Sequence, residues 1–501
     1  MLPRRGRLLL RVLAELVGDE LSDGLRVLRG RQEPGAADRG PRLRAALESL
    51  GPLYIKVGQI LSTRPDLIPP AVASQLEGLH DSAPAIPFPR LRPVLDDELG
   101  SGWPQRFSHF DTSRPLGSAS LAQAYGATLH DGLPVVVKVQ RPGVLQTMAA
   151  DMRLVRRITR LFARGAPVLN ATIDFDAMLA VIFDAMRHEL DFTLEAANME
   201  RAREEVRSPA DIQVPRVVHA TPHILIQTRA PGTSIRDADP ADFKEEERER
   251  IGTDLIAFMY RGYFTHRFFH ADPHPGNIFV TPGGPTTMID WGMVGRIDRQ
   301  LSMSLMMTLL GLAHNDARAV ARSWTDMGRP TPWADISGFE QDMASLVPTL
   351  HGLSLEHLRF GASLSTLLRY STRRGIQTSP MVGLLGKSFS NVEGAARYLA
   401  PQVSVTDVLV RHTPRIVAHY LEETISPARL GYGLLHATAA VENGLADART
   451  FGRSLTAGEL TLQHFPVRRR FSLVDHRTDR RLRMCASALV AAAVWRHLHR
   501  N

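Results

Sequence analysis

The chain has 501 residues, of which 44% are hydrophobic and 22% charged; this length corresponds to roughly three ordinary domains. The composition supplies enough apolar residues for a packed core and excludes a disordered polyampholyte. The single cysteine, Cys485, excludes a disulfide framework and a metal site built from cysteines. It favours a reducing, intracellular compartment.

The formal net charge of +8 is concentrated at the C-terminal end. Residues 468–501 carry nine arginines against two aspartates, so this segment nets +7 and the rest of the chain only +1. Because the charge is confined to a tail, we do not expect a nucleic-acid partner. The apolar run at 484–494 is too short to cross a bilayer as a simple helix. It is expected either to lie on a membrane surface or to dock on the body of the protein.

The first eighty residues favour helices separated by turns. Residues 8–29 have the spacing of an amphipathic helix, and charges inside this stretch argue against a secretory signal. Residues 31–41 are rich in glycine, proline and charge and predict a linker. Helices are predicted over 42–80, interrupted by three prolines.

The pattern changes at residue 112, after which three short strands are predicted up to residue 143. Small residues at 117–120 predict a turn between the first two strands, and 130–132 is typical of a hairpin turn. The run 135–139 is β-branched and apolar apart from one lysine, as expected of a buried strand.

The rest of the chain alternates helices with short strands before becoming helical throughout. Helices are predicted near 144–164, 174–206 and 245–262. Short strands are predicted at 214–218 and 223–229, and two more flank the loop described next. From about 298 to 460 the pattern is helical, with loops at 330–332 and 378–380.

The stretch HADPHPGN at 270–277 combines the polar side chains that phosphoryl transfer requires. In kinase-type sites one aspartate orients the attacking hydroxyl, while an asparagine five residues later and an aspartate of the next hairpin hold Mg²⁺. Asp272 and Asn277 have this spacing, and Asp290 begins an Asp-Trp-Gly turn after a predicted strand. We therefore predict that Asp272 is the base and that Asn277 and Asp290 bind Mg²⁺.

A different interpretation of the same loop is a metal site formed by His270, Asp272 and His274. On a β-strand these alternating residues would share one face. Pro273 and Pro275 disfavour a central strand here, and no further histidine cluster lies nearby in the sequence. The kinase-type interpretation is therefore preferred.

Lysine is rare in this chain: only four of its 60 basic Lys and Arg residues are lysines. Because arginine supplies nearly all of the positive charge, each lysine is more informative than usual. Lys138 lies in the predicted buried strand and is expected to reach the phosphates of ATP, with a carboxylate partner that keeps it charged and oriented. Lys387 lies between a glycine and a serine, as at the end of a P-loop, but the first glycine of that motif is missing. We interpret Lys387 as structural.

Two further segments could complete such a site. A turn of small residues is placed where a phosphate-covering loop would lie and offers backbone N–H groups to a nucleotide. Its residues are Gly117, Ser118, Ala119 and Ser120. In the helix predicted over 174–206, Asp191 and Glu195 are four residues apart and are expected to share a face. An acidic face exposed to solvent is the ordinary meaning of this spacing, but the neighbouring leucines and phenylalanine favour a partly buried helix.

Together these motifs resemble the UbiB family of atypical, protein-kinase-like proteins (the aarF/ADCK group). The resemblance covers roughly residues 45–400 and is carried most specifically by Lys56-Val-Gly58-Gln59, which resembles the family's KxGQ motif. The GSAS turn at 117–120 resembles its alanine-rich nucleotide loop. The catalytic loop at 270–277 and the Asp-x-Gly turn complete the set.

The acidic helix also resembles part of the family pattern. Glu189-Leu190-Asp191 resembles the ExD motif, and Glu195 resembles the glutamate that pairs with the strand lysine, here Lys138. The resemblance thus implies catalytic roles for Lys138 and Glu195 beside Asp272.

The resemblance implies a protein-kinase-like two-lobed α+β fold that is predominantly helical, with an N-terminal helical extension over the active site. It implies ATP and Mg²⁺ as cofactors and an occluding, regulatory role for Lys56, Gln59, Glu189 and Asp191, which would obstruct protein substrates. Family members are linked to isoprenoid-quinone (ubiquinone) biosynthesis or lipid homeostasis, and ATPase activity often describes them best. The expected partners are ATP, a quinone or isoprenoid lipid, and a membrane surface contacted through the basic termini. The expected location is cytoplasmic or peripheral on the inner face of a bacterial membrane.

Four segments follow from this assignment. They are an N-terminal helical extension at 1–95, a small lobe with the nucleotide loop and a helical insert at 96–232, a helical lobe with the catalytic loop at 233–440, and a basic tail at 441–501.

Several positions depart from the family pattern. The hinge region at 226–229 lacks a Met-Glu pair, so its contacts with adenine are expected to differ. Gly117 and Ser118 stand where alanines are common. The short apolar run after Arg483 does not match the family's membrane-spanning region, which weakens the expectation of firm anchorage.

Two other functions remain open on sequence alone. A small-molecule phosphotransferase of the aminoglycoside or choline kinase type has a similar catalytic loop, but it has no need of an occluding KxGQ extension. A nucleotide-gated scaffold at the membrane surface is a non-enzymatic alternative. The presence of the base and of both metal ligands argues against a dead pseudokinase.

Overall fold

The structure is a computed structural model that describes residues 36–425, with gaps at 65–67, 69, 80–82, 166–173, 207–211 and 353–358. The helix predicted at 8–29, the apolar run at 484–494 and the basic tail at 441–501 lie outside the described residues. The three boundaries between the four predicted segments remain predictions.

The described residues form fourteen α-helices and thirteen short strands. The helices are α1 (Ala36–Leu50), α2 (Pro52–Ser62), α3 (Pro70–Glu77), α4 (Arg92–Leu99), α5 (Val144–Gly165), α6 (Phe175–Leu190), α7 (Phe192–Glu205), α8 (Glu245–Arg261), α9 (Arg299–Ala313), α10 (Ala317–Met327), α11 (Ile336–Gly352), α12 (Phe360–Arg373), α13 (Pro380–Leu399) and α14 (Val405–Ile425). The strands are β1 (Phe107–Phe110), β2 (Gly117–Ser118), β3 (Ala122–Leu129), β4 (Pro134–Gln140), β5 (Val217–Ala220), β6 (Ile224–Thr228), β7 (Thr233–Ser234), β8 (Phe268–His270), β9 (Ile278–Val280), β10 (Thr287–Met288), β11 (Val294–Arg296), β12 (Gly328–Pro330) and β13 (Ile376–Thr378).

The small lobe is built on an antiparallel sheet in the order β1-β3-β4-β6-β5, with β2 paired to β3. Along β4, Val135, Val137 and Val139 are buried, whereas Val136 and Lys138 are partly exposed. This alternation follows from the two-residue period of a strand, which sends successive side chains to opposite faces. It turns Lys138 away from the core and towards the cleft.

An aromatic cluster fixes the buried face of this sheet. Trp103, Phe107 and Tyr125 are buried there with the valines of β4 and with Leu91 and Leu95 of the segment leading into and through α4. Rings in the cluster meet edge to face, for example Trp103 with Phe107 at 6.3 Å between centroids. Each such contact adds roughly 0.5–1.5 kcal/mol beyond area burial. The sheet therefore offers a rigid base for Lys138.

The helical lobe carries the catalytic loop between short strands. β8 pairs with β11, and β9 forms a sheet with β10 and β7. Helix α13 packs against α8 and α12 and also approaches the segment at 275–277. No helix within the described part of the chain has the length and apolarity needed to cross a membrane.

Two compact units divide the described residues, the first ending at Leu409 and the second beginning at Val410. All of the site described below belongs to the first unit. The described residues of the second unit, from Val410 to Ile425, belong to helix α14.

The extension consists of α1, α2 and α3, which pack on one another, and α2 also packs against α5 and α6. Gly58 permits this packing, since a Cβ at this position would lie 2.4 Å from a methyl carbon of Leu79 and 2.8 Å from one of Leu47. A glycine in the KxGQ motif is therefore explained by close helix packing.

Several sequence-based predictions differ from the observed elements. The linker predicted over 31–41 is helical from Ala36, because Leu47 and Leu50 of α1 are buried in the extension and tertiary packing outweighs local propensity. The single helix predicted over 174–206 is divided at Asp191. The loops predicted at 330–332 and 378–380 are preceded by β12 and β13, which pair with each other. Strand β1 lies before the predicted strand region, and β10 has only two residues.

Candidate active site

Lys138 and Glu195 form a buried ion pair between the sheet and helix α7. The Lys138 Nζ lies 2.5 Å from Glu195 Oε1, and the two side chains are 16% and 3% exposed. Helix α7 begins at Asp191, whose carboxylate accepts hydrogen bonds from the backbone N–H and the hydroxyl of Thr193. This N-cap starts the helix so that Glu195 comes at its first turn. The pairing is the one predicted from the sequence.

Asp290 is a second carboxylate in contact with the same ammonium group. Its Oδ1 is 3.1 Å from Lys138 Nζ, and its side chain is 52% exposed. Lys138 holds the pKa of Asp290 well below its ordinary value, so this carboxylate is ionised at neutral pH. Burial would lower the pKa of the Lys138 ammonium, but Asp290 and Glu195 outweigh it and raise that pKa above its ordinary value. Lys138 and Asp290 are therefore both charged at neutral pH. Burial raises the pKa of the Glu195 carboxyl above its ordinary value, and the charge of Lys138 opposes this rise.

The backbone of Asp290 adopts a left-handed conformation, with φ of 63°. Few residues other than glycine occupy this region, although aspartate and asparagine do so more readily than most. The turn that follows is fixed by Trp291, whose ring lies 4.9 Å from that of His270 and whose carbonyl accepts a hydrogen bond from Asn198 of α7. The Asp-x-Gly turn is thereby attached to the helix that carries Glu195.

Asn277 is held next to Asp290 by strand pairing. Ile278 of β9 is paired with Met288 of β10, and the backbone N–H of Ile289 donates to the carbonyl of Asn277. The residue before β9 and the residues after β10 therefore lie at the same end of the pair. The Asn277 amide nitrogen donates to the Asp272 carbonyl at 3.4 Å, so its amide oxygen is the atom available to a cation.

His270 braces the catalytic loop through both ring nitrogens. Its Nδ1 accepts from the backbone N–H of Asp272, and its Nε2 donates to the carbonyl of Ile289, both at 3.1 Å. Burial lowers the pKa of His270, which agrees with the neutral tautomer that these two bonds require. Because both nitrogens are engaged with backbone, His270 is not a metal ligand here. No cluster of three or more His, Cys, Asp or Glu side chains suited to a metal occurs among the described residues.

Asp272 has two partners that the sequence analysis did not identify. Lys387 Nζ lies 3.1 Å from Asp272 Oδ1, and Asn391 Nδ2 donates to the same oxygen at 2.7 Å. Burial tends to raise the pKa of Asp272, but Lys387, His274 and Lys56 together lower it. The sequence analysis interpreted Lys387 as structural and did not place it beside Asp272. The scarcity of lysine was the signal that could have found it, since Lys56, Lys138 and Lys387 all pair with carboxylates of this region.

The candidate nucleotide loop is in register with Lys138. Gly117 is paired with Ala124, and Ala124 is paired with Lys138 on the next strand. The loop from Gly117 to Ser120 therefore begins in the row of the sheet that carries the lysine. Arg141 holds it in place, donating to the Ser118 hydroxyl at 2.8 Å.

The extension reaches the site through Lys56. Its ammonium group forms an ion pair with Glu189 Oε1, and both side chains are largely buried. Lys56 is also among the charges that lower the pKa of Asp290, after Lys138 and His270, and that of Asp272. The ion pair with Glu189 is the contact predicted for Lys56, and its occluding role in the cleft stays a prediction.

Gln59 and Asp191 have other contacts. The Gln59 amide nitrogen donates to the carbonyl of Leu79 at 3.0 Å, which ties α2 to the end of α3. The sequence analysis expected Asp191 to share a helical face with Glu195, and this was wrong, because Asp191 is the N-cap of α7. The physical reason is the hydrogen bonding of its carboxylate to Thr193, which ends one helix and begins the next.

The fold and this set of side chains define a protein-kinase-like protein. Residues 78–324 match the ABC1 atypical kinase-like domain, and residues 343–404 match the UbiB helical domain. The chain is 31% identical to a "Probable protein kinase UbiB" of Cellvibrio japonicus over 73% of this chain and 67% of that protein. It is also 31% identical to a protein of the same name from Pseudomonas putida, over 87% of this chain and 81% of that protein.

Among solved structures, the Rv3197–erythromycin complex from Mycobacterium tuberculosis is similar, with 24% identity and a TM-score of 0.48 over 72% of this chain and 92% of that one. The two domain matches and the curated relatives establish the relationship. The chain belongs to the UbiB family of atypical kinases.

Proposed function

We propose that this protein binds Mg-ATP and transfers its terminal phosphoryl group to water or to a small or lipid acceptor. The observation that carries the proposal is the convergence of Glu195, Asp290 and Lys138, with the lysine 2.5 Å and 3.1 Å from the two carboxylates. A lysine held between a helix glutamate and an Asp-x-Gly aspartate is the arrangement that kinase catalysis requires.

The nucleotide would lie between the loop at 117–120 and Lys138. Backbone N–H groups of the loop can approach phosphate closely because Gly117 has no side chain, and a Cβ there would meet no other atom within 4 Å. Lys138 would then contact the α- and β-phosphates while Glu195 keeps it oriented.

The donor set fits Mg²⁺ held jointly by protein and phosphate. Asp290 presents an ionised, half-exposed carboxylate, and Asn277 presents an amide oxygen beside it. Mg²⁺ usually takes only one or two protein carboxylates and completes its shell with phosphates and water, so a larger ligand cluster is not needed. When bound, Mg²⁺ would neutralise charge on the phosphates.

Asp272 would orient the attacking oxygen. Its side chain is 19% exposed, and Lys387 and Lys56 help to keep its carboxylate ionised. An ionised aspartate can accept a hydrogen bond from a hydroxyl or a water and aim its lone pair at the phosphorus.

The extension argues against a peptide acceptor. The pairing of Lys56 with Glu189 supports the proposal that α2 obstructs the approach to the cleft that an extended peptide would need. We therefore propose ATP hydrolysis or transfer to a small or lipid molecule, such as an isoprenoid-quinone precursor presented at a membrane surface. Membership of the family supports a proposed role in quinone biosynthesis or lipid homeostasis on the inner face of a bacterial membrane.

The test is to incubate the full chain with Mg-ATP, with and without detergent or a quinone-like lipid, and to measure ADP release. We expect release that requires Mg²⁺ and that is lost in Asp290→Asn. Binding of Mg-ATP without release under any condition would instead favour a nucleotide-gated scaffold. Efficient phosphorylation of choline or an aminoglycoside would favour a small-molecule phosphotransferase. Rapid phosphorylation of generic peptides would contradict occlusion by the extension.

A further inference from the structure

Helix α13 makes three side-chain contacts with the catalytic loop. Lys387 and Asn391 both reach Asp272 Oδ1, at 3.1 Å and 2.7 Å, and the hydroxyl of the fully buried Ser388 donates to the carbonyl of His270 at 2.7 Å. Residues three and four positions apart are neighbours on a helix surface, and Asn391 is three residues from Ser388 and four from Lys387. One face of α13 therefore holds the loop at two of its residues.

The same helix is anchored against the extension. A Cβ at Gly383 would lie 2.8 Å from the carbonyl oxygen of Thr63, at the end of α2. The backbones of the two helices thus meet closely, one turn before Lys387. Because the start of α13 has so little room to move, Lys387 is presented to Asp272 from a rigid element.

Both donors converge on a single oxygen of the Asp272 carboxylate. Two donors on Oδ1 restrict rotation of the carboxylate and leave Oδ2 as the oxygen for an incoming hydroxyl or water. Lys387 also supplies positive charge at the position where the aspartate and the transferred phosphoryl group would otherwise repel each other. A reacting oxygen misplaced by about 1 Å can cost on the order of 100-fold in rate.

We propose that Lys387 and Asn391 are positioning residues that hold Asp272 in the orientation required for phosphoryl transfer. The proposal rests on the proposed function for its kinetic consequence and on the contacts of α13 for its structural one. It assigns to the helical domain a direct part in the chemistry of the cleft.

The experiment compares Lys387→Met, Lys387→Arg, Asn391→Ala and the wild-type full chain. Lys244→Met is the matched control, because Lys244 is an exposed lysine that precedes α8. The kcat of ADP release, the KM for Mg-ATP and the amide hydrogen exchange of peptides covering 268–280 are measured. We expect kcat to fall 10- to 100-fold in Lys387→Met with KM changed less than twofold. Exchange at 268–280 should speed up in Lys387→Met but not in Lys244→Met.

The other variants keep the test decisive. Arginine retains the charge with a different shape, so Lys387→Arg should recover part of kcat, which a merely space-filling role would not predict. If Lys387→Met does not fold, Asn391→Ala removes only one donor and should show the same changes to a smaller degree.

The outcomes separate this proposal from the proposed function. Unchanged kcat and unchanged exchange at 268–280 would overturn the positioning role, and so would a raised KM with unchanged kcat, which would make Lys387 a nucleotide ligand. If the wild-type protein releases no ADP but loop exchange still rises in Lys387→Met, the positioning role stands and the proposed function fails.

Discussion

The sheet side of the cleft holds Asp290 differently from the way the helical side holds Asp272. Asp290 is contacted by one lysine, Lys138, and remains half-exposed. Asp272 is contacted by a lysine and an asparagine on one oxygen and is only 19% exposed. The two lysines are buried to the same extent, at 16% and 17% exposure, so the difference lies in the carboxylates.

This difference in exposure and contacts suits the two aspartates to the different roles proposed for them. A metal ligand must be ionised yet accessible to a cation that arrives with a nucleotide, which suits Asp290. A group that orients an attacking oxygen must keep one geometry, which suits Asp272. Two similar lysine–aspartate pairs are thus suited to different roles: one to binding a metal ion and the other to orienting an attacking oxygen.

The largest expected effect comes from exchanging each aspartate for asparagine. Asp290→Asn should abolish Mg²⁺-dependent nucleotide binding, because it removes the charge of the proposed metal ligand. Asp272→Asn should leave binding intact and lower kcat by about 10²- to 10⁴-fold, the usual contribution of a general base. Calorimetry of Mg-ATP binding and ADP-release kinetics check both. Unchanged Mg-ATP affinity in Asp290→Asn would contradict its assignment.

Replacing Lys138 and replacing Lys387 should lower the free energy of unfolding by different amounts. Lys138→Met leaves Glu195 buried without its partner, and we expect a loss of about 3–5 kcal/mol in the free energy of unfolding. Lys387→Met should cost less, because Asn391 still bonds Asp272 and that carboxylate is partly exposed. Lys244→Met serves as the control, with a change within about 0.5 kcal/mol. Denaturant unfolding measures all three, and equal losses for Lys138 and Lys387 would remove the distinction.

The helical side also contains a buried carboxyl whose ionisation affects stability. Burial raises the pKa of Glu393 to about 7, although backbone N–H groups of Phe360 and Gly361 oppose this. The folded state therefore binds a proton more tightly than the unfolded state, and stability falls as pH rises from about 4.5 to 7, by roughly 3 kcal/mol in all. Glu393→Gln should remove this part of the pH dependence, as measured by unfolding at pH 5 and pH 9. Glu340→Gln, at an exposed position, should retain the wild-type slope.

The smallest expected effect concerns Asp191 at the junction of α6 and α7. Asp191→Ala removes the N-cap of the helix that carries Glu195 and should cost about 1 kcal/mol. Asp191→Asn keeps an acceptor for Thr193 and should be nearly neutral. Thermal unfolding distinguishes the two variants. If Asp191→Asn is as harmful as Asp191→Ala, the charge of Asp191 matters beyond capping.

Local spacing was enough to predict much of the site. Asp272, Asn277 and Asp290 occur within one loop and one pair of short strands, and Lys138 lies in a strand whose β-branched residues show its direction. The partners of Asp272 could not be predicted in this way, because Asn391 is 119 residues away in sequence and only tertiary packing brings α13 to the loop. The Lys387 environment was misjudged for the same reason.

The fold shows the same division between local and distant information. The β3–β4 hairpin was predicted from its turn, where Gly132 has φ of 84°. The pairing of β12 with β13 joins residues such as Gly328 and Thr378, which no nearby pattern connects. The break at Asp191 could have been anticipated from a threonine two residues later, which is typical of a capping turn.

The left-handed backbone conformation at Asp290 limits which residues can replace this aspartate during evolution. Only glycine, asparagine and aspartate occupy such a conformation readily, whereas a β-branched residue would strain the turn. If the proposed phosphoryl transfer were lost in a descendant that kept its fold, asparagine or glycine would therefore be expected at this position. Such a replacement would mark inactivity without loss of structure, and a survey of natural variants could recognise it from this one position.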